Sequence, residues 1–184
     1  NDIHLVITGG EPMLWQDQIV EIIEHMIDSG EYPHFITIET NGTVKINDEL
    51  RNFILFSTHE YNIEWFWSIS PKLLNVSGET DAIHPEIWEG YFDASDHGSF
   101  KYVITDSEAA WQELISINER LLQMSDDEQC LSIYHDSYVM PVGGTKEQQE
   151  DSNVIAKIAD RAIKEGYHVS GRIHATIWNN AVNT

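Results

Sequence analysis

Several short motifs in this chain combine glycine, proline and polar residues in ways that suit ligand binding. Thr8-Gly9-Gly10-Glu11-Pro12 follows the apolar stretch Ile3 to Ile7. Two successive glycines let backbone approach a ligand closely. Exposed strand-end carbonyls and the Glu11 carboxylate would accept hydrogen bonds from an ammonium group, and Pro12 suits the first position of a helix. An ordinary β–α turn with a helix-capping acid accounts for the same residues. Glu39 and Asn41 could bind hydroxyls, although Asn41-Gly42 is first a turn former. Ser70-Pro71-Lys72 offers a hydroxyl, a fixed turn and a cation, suited to a carboxylate or a ribose, or simply to ending a strand. Met140-Pro141-Val142-Gly143 could line an apolar nucleoside pocket or form a plain strand-to-helix loop. Arg172 and His174 stand two residues apart, so on a strand they share a face. Arg172 could then pair with a carboxylate and His174 with a ring heteroatom; a surface Arg and a hydrogen-bonded core His fit equally well. No His-Glu-x-x-His, paired-Cys or Gly-x-Ser-x-Gly pattern is present.

The elements that would position these residues follow from periodicity. Residues 3–8 read as a buried strand. A helix runs from about Leu14 to Asp28, with Ile19, Ile22, Ile23, Met26 and Ile27 on one face. Phe35 to Thr40 is a second strand, followed by a short helix near Asp48–Phe56. Glu64 to Ser70 is a third strand, in which the aromatic run Trp65-Phe66-Trp67 reads as packing. Residues 75–98 read as a loop excursion with a short helix near Pro85–Glu89. Ser99 to Thr105 is a fourth strand. Thr105 to Glu108 fits a capping box, opening a helix with Trp111, Leu114, Ile115, Leu121 and Leu122 on one face. Cys130 to Met140 is a fifth strand. Thr145 to Gln148 fits a second capping box, whose helix buries Ile155, Ile158, Ala159, Ala162 and Ile163. His168 to Trp178 is the last strand. Strands alternating with helices indicate an α/β domain with a mainly parallel sheet, whose ligands gather at the carboxyl ends of the strands. The motifs above sit at such ends.

Composition narrows the function classes. The 184 residues carry 10 Lys plus Arg against 31 Asp plus Glu, a formal charge of −21, with 41% hydrophobic residues. That is a globular chain, expected as a single domain. Phosphate and anionic-membrane surfaces need clustered Lys and Arg, so no nucleic-acid partner is expected. No apolar run approaches a membrane span, no signal-peptide pattern is read, and a cytoplasmic protein is the expectation. The one cysteine, Cys130, reads as a buried thiol, and alone it can hold neither an iron–sulfur cluster nor a structural zinc. The chain opens on a strand without an initiator Met, so an upstream segment is expected to be missing.

Thr8-Gly-Gly-Glu-Pro12 resembles the S-adenosylmethionine motif of radical S-adenosylmethionine enzymes. Glu39-Thr-Asn-Gly-Thr43, Ser68-Ile-Ser-Pro-Lys72, Phe100-Lys-Tyr-Val-Ile104, Met140-Pro-Val-Gly143 and Arg172-x-His174 with Trp178-Asn179, in this order, resemble the 7-carboxy-7-deazaguanine synthases. The resemblance implies an α/β fold, a partial β/α barrel that here lacks its first strand. It implies S-adenosylmethionine, a [4Fe–4S] cluster and Mg2+ as cofactors, a pterin substrate, 6-carboxytetrahydropterin, and 7-carboxy-7-deazaguanine as the product, a step towards queuosine. An external flavodoxin-like electron donor is implied, and family members commonly form homodimers. Carried over by motif, Gly9, Gly10 and Glu11 would meet the methionine end of S-adenosylmethionine. Glu39, Asn41, Ser70, Pro71 and Lys72 join them as cofactor-binding residues. Met140, Pro141, Val142 and Gly143 would lie by the adenosyl part. Thr8, Arg172, His174 and the Thr184 carboxylate are the substrate-binding candidates, Thr184 only if it is the natural end. The family's cluster cysteines and magnesium contact lie upstream of the Gly-Gly-Glu motif, so no metal ligand is expected in this chain. A glycyl-radical activating enzyme and an S-adenosylmethionine-binding remnant are the alternatives.

Overall fold

The computed structural model describes residues 3–124, 137–143 and 145–178. The first elements are β1 (His4–Ile7), a 3-10 turn (Pro12–Trp15), α1 (Gln16–Ser29), β2 (Phe35–Thr40), α2 (Asp48–Tyr61), β3 (Glu64–Ile69), α3 (Leu74–Ser77) and α4 (Pro85–Phe92). Then come β4 (Gly98–Ile104), α5 (Glu108–Met124), β5 (Ser137–Pro141), α6 (Lys146–Gln149), α7 (Ser152–Glu165), β6 (His168–Val169) and α8 (Ile173–Trp178). The chain divides into two compact units, Asn1–Ser70 with Ile83–Ser99, and Pro71–Ala82 with Phe100–Thr184. Both are α/β, with parallel strands and helical connections.

In the first unit β1, β2 and β3 pair in parallel, with Ile36 beside Leu5 and Trp65. Alternation along the strands buries Ile36, Ile38, Trp65, Trp67 and Ile69 with Ile19, Val20 and Ile23 of α1 and Leu50, Phe53 and Ile54 of α2. Burying each such side chain contributes about 1.5–3 kcal/mol. Helix α2 starts where Asn47 caps it, its side-chain oxygen accepting Leu50 N–H at 2.8 Å. It runs beyond the expected Phe56 to Tyr61 and ends on left-handed Asn62. Two expectations fail here. Strand β1 is not buried: Ile3 and Val6 are both 46% exposed, because β1 takes only β2 as a strand partner among the described residues. On α1, Ile22 is exposed although it matches the apolar spacing, because the buried face is centred on Ile19 and Ile23. Of the aromatic run, Trp65 and Trp67 are buried and Phe66 points to the opposite, exposed face.

In the second unit β4 pairs with β5 from Phe100↔Ser137 to Ile104↔Pro141, and β5 with β6. The expected capping box at Thr105 is displaced. Ser107 caps α5 instead, its hydroxyl accepting Ala110 N–H at 3.3 Å, while Thr105 Oγ1 accepts Ser107 N–H. Thr145 and Gln148 do form a reciprocal capping box, but it opens only the short α6. Asp151 then caps α7 separately. On α7 Ile158 and Ala162 are buried, Ile155 and Ala159 half-buried, and Ile163 exposed, correcting the wider apolar face. Leu122 of α5 is likewise exposed. Cys130 and the expected strand before Ser137 lie outside the described residues.

Glu108, released from capping, forms a bidentate pair with Arg161 of α7, including Nη2–Oε1 at 3.0 Å, and the guanidinium lies 4.9 Å from the Trp111 ring centre. Hydrogen bonds from Arg161, then from Gln112, lower the Glu108 carboxyl from its ordinary 4.5 to about 2. The folded value lies below the unfolded one, so the stabilisation is complete above about pH 4.5 and fades as pH falls towards 2. The pair is exposed and screened by solvent, so its effect is small. Glu108→Gln is expected to lower the melting temperature by about 1–3 °C at pH 7. The difference in urea midpoints should shrink steadily from pH 5 to pH 2.5. A pH-independent difference would contradict the ion pair.

Candidate functional site

The carboxyl ends of β1 and β2 are joined by one hydrogen-bond network. Thr8 Oγ1 donates to Glu39 Oε2 at 2.9 Å, so two residues 31 positions apart meet on neighbouring strand ends. Gly9 and Gly10 follow with φ of 91° and 58°, left-handed conformations that side chains disfavour. A Cβ added to either would meet nothing within 4 Å, so the turn faces open space.

The Glu11 carboxylate is turned into the protein. Oε1 accepts Met13 N–H at 3.1 Å, capping the 3-10 turn, and the Thr40 hydroxyl at 2.7 Å. Oε2 accepts Asn41 N–H at 2.8 Å. Glu11 thus ties the Gly-Gly turn to the turn after β2. Thr40, buried, accepts Gly42 N–H on the same hydroxyl at 3.0 Å, and its carbonyl accepts Ser70 N–H at 2.8 Å. Asn41 forms an Asx-type turn, Oδ1 accepting Thr43 N–H at 2.9 Å and Thr43 Oγ1–H at 2.7 Å. Gln16 braces the loop further on, donating to the Lys45 carbonyl and accepting Asn47 N–H at 2.7 Å.

Helix α4 completes this arrangement. Trp88 Nε1 donates to the Gly42 carbonyl at 2.9 Å, and the Tyr91 hydroxyl to the Val44 carbonyl. Tyr91 stacks on Trp67 at 4.5 Å. Burial pushes the Tyr91 phenol above its ordinary value; a hydrogen bond with Thr40 acts against this, and the charge of Glu11 adds to it. Thr40, Trp88 and Tyr91 escape the sequence reading. The short helix expected near Pro85–Glu89 is found and runs on to Phe92, and Trp88 and Tyr91 at i, i+3 spacing were the available signal.

The first unit therefore gathers Thr8, Gly9, Gly10, Glu11, Glu39 and Asn41, with Ser70 tied on through Thr40. Pro71 is buried and Lys72 half-buried at the start of the second unit. There, Val142 N–H donates to the Ile104 carbonyl at 2.8 Å, fixing the chain as it leaves β5. Arg172 Nε lies 3.2 Å from the Met140 sulfur. A cavity of about 320 Å3 is lined by Pro141, Ile155, Arg172 and Ile177, among others, so Pro141 and Arg172 share one wall. Gly143 is buried and Val142 exposed. The shared strand face expected of Arg172 and His174 is not found. Strand β6 ends at Val169, Arg172 lies in the following loop, and His174 belongs to α8. Ile173 and Ile177, four apart, carry the helical spacing. Thr184 and Asn179 lie outside the described residues.

Among the described residues no group of three or more His, Cys, Asp or Glu side chains could hold a metal ion, and no helix is long and apolar enough to cross a membrane.

No family model matches the chain. It is 26% identical over 196 residues to a 7-carboxy-7-deazaguanine synthase of Halobacterium salinarum, covering 98% of this chain and 67% of that protein. A protein of the same name from Pyrobaculum aerophilum is 24% identical over 185 residues, covering 97% of this chain and 66% of the relative. One from Methanothermobacter thermautotrophicus is 36% identical over 85 residues, 46% of this chain and 32% of the relative. The chain thus spans about two thirds of the length of the first two relatives. Across nearly its whole length, the chain is a homologue, at 24–26% identity, of proteins named 7-carboxy-7-deazaguanine synthase.

Proposed function

We propose that this chain is part of a radical S-adenosylmethionine enzyme that converts 6-carboxy-5,6,7,8-tetrahydropterin to 7-carboxy-7-deazaguanine in 7-deazapurine (queuosine) biosynthesis. The observation that carries the reading is similarity to two such synthases over 97–98% of the chain. The strand-end motifs support it, and so does the parallel strand–helix alternation in each unit, read as a partial β/α barrel.

The residues fit S-adenosylmethionine. The open Gly9-Gly10 turn suits the approach of an ammonium group to backbone carbonyls, with no side chain in the way. By resemblance of motif alone, Lys72 would serve the carboxylate and Met140 to Gly143 the adenosyl part. Bound S-adenosylmethionine supplies the hydrogen-abstracting radical of this enzyme class. Thr8 faces the pterin in this reading. Its hydroxyl proton goes to Glu39, which leaves the Thr8 oxygen as an acceptor towards ligand. The iron–sulfur cluster does not fit this chain: it has one cysteine, and the described residues hold no metal-binding group.

The test is anaerobic reconstitution of the full-length protein with iron, sulfide, S-adenosylmethionine, magnesium and the carboxytetrahydropterin. Formation of the deazaguanine product is expected; none from protein with an intact cluster would reject the activity. Lys72→Ala is expected to weaken S-adenosylmethionine binding about tenfold, the effect of losing one charge-assisted hydrogen bond. An unchanged dissociation constant in calorimetry would remove Lys72 from the site.

A further inference from the structure

Helix α4 lies in the connection between β3 and β4, yet the indole N–H of its Trp88 reaches the turn after β2. We propose that Trp88 is a positioning residue that aims the side-chain amide of Asn41 at an oxygen acceptor of the nucleoside ligand. The proposal rests on the S-adenosylmethionine reading and adds to it an element from outside the strand ends.

The coupling runs through one peptide plane. Trp88 Nε1–H donates to the Gly42 carbonyl at 2.9 Å. The N–H of that same Gly42–Thr43 peptide donates to Asn41 Oδ1 at 2.9 Å. Fixing the carbonyl fixes the N–H, because the peptide is planar, and hydrogen bonds in series polarise one another. Thr43 Oγ1–H supplies a second bond to Asn41 Oδ1. With its oxygen so engaged, Asn41 must present its NH2 group away from Thr43. Among the described residues Nδ2 has no protein acceptor, and Asn41 is half-buried. The backbone of Asn41 is held independently by Glu11. Trp88 itself is fully buried and so close under Gly42 that an added Cβ would lie 2.4 Å from Nε1. One turn on, Tyr91 donates to the Val44 carbonyl, so α4 grips two alternate carbonyls of the loop. A pair of oriented amide donors suits an oxygen acceptor, either a ribose hydroxyl or the amino-acid carboxylate.

The experiment is a double-mutant cycle on the full-length protein, read by calorimetric affinity for S-adenosylhomocysteine well below the melting temperature of each variant. Asn41→Ala is expected to weaken binding about tenfold and Trp88→Phe about three- to tenfold. The double variant should bind no more weakly than Asn41→Ala alone, because Trp88 acts through Asn41. Additive losses, or unchanged affinity in either single variant, would overturn the proposal. Asn41→Asp keeps an oxygen for Thr43 and removes the donors, so it should match Asn41→Ala in affinity while holding the wild-type melting temperature more closely. Full affinity in this variant would equally overturn the proposal. 5′-Methylthioadenosine carries the ribose without the carboxylate, and methionine the reverse. Whichever probe loses the same factor in Asn41→Ala identifies the oxygen. Failure of the unsubstituted protein to bind S-adenosylhomocysteine would reject the cofactor reading and this proposal with it. Normal binding with additive losses would reject the proposal alone.

Discussion

Gly42→Ala is expected to destabilise the protein by about 2–5 kcal/mol and to lower its melting temperature by about 6–15 °C. Two costs add. Gly42 has φ of 78°, where an L side chain is strained by about 1–2 kcal/mol. The new Cβ would also stand 2.4 Å from Trp88 Nε1 and 3.0 Å from Ile69 Cγ2. Both neighbours are buried, so the indole cannot swing clear. Forcing it aside costs about 1–3 kcal/mol and breaks the hydrogen bond to the Gly42 carbonyl. Gly10→Ala is the control. Its φ of 58° also disfavours alanine, but nothing lies within 4 Å of the added Cβ. It should lose only the strain, about 1–2 kcal/mol. Thermal unfolding by circular dichroism separates the two. Equal midpoints for Gly42→Ala and Gly10→Ala would mean that Trp88 does not press on the turn.

Glu11→Ala should cost about 2–4 kcal/mol, since three donors lose a charged acceptor together. Met13 N–H and Asn41 N–H have fixed directions and, among the described residues, no second protein acceptor, while the Thr40 hydroxyl can rotate. The site is partly exposed, so water takes back some of the loss, which keeps the figure below three full charged bonds. Glu11→Gln should fall about midway. Its one carbonyl oxygen can accept, but its NH2 then faces at least one fixed N–H. Glu11→Asp keeps the charge and shortens the reach, so it cannot span Met13 and Asn41 at once. Chemical denaturation of the three variants gives the ranking Gln, Asp and Ala against the native protein. Wild-type stability in Glu11→Ala would show that the carboxylate does not join the two turns.

Both positions lie beyond what local sequence signals reveal. The strands at 35–40, 64–69 and 98–104 were legible to within a residue or two, because apolar alternation and the breakers Asn41-Gly42 and Pro71 are local signals. So was the placement of Thr8 to Pro12 and Met140 to Gly143 at strand ends. The last segment departs from its sequence expectation. Ile173 to Trp178 is helical, and the pairing of Arg172 with His174 rested on strand alternation that stops at Val169. Apolar residues at 173, 175 and 177 fit strand alternation and those at 173 and 177 fit a helix turn, so only the surroundings decide between them.

By itself the sequence determined the α/β alternation, the acidic surface and the identity of the polar residues at each strand end, all of which are set by neighbours close along the chain. Tertiary structure decided what those residues do. It turned Glu11 inward to Thr40 and Asn41, about 30 positions away, paired Thr8 with Glu39, and left β1 half exposed. It also brought Trp88, in the helix expected near Pro85–Glu89, under Gly42 across 46 positions, making that helix a support for the site. A hydrogen bond depends on distance and angle in space, so partners this remote leave no periodic trace along the chain.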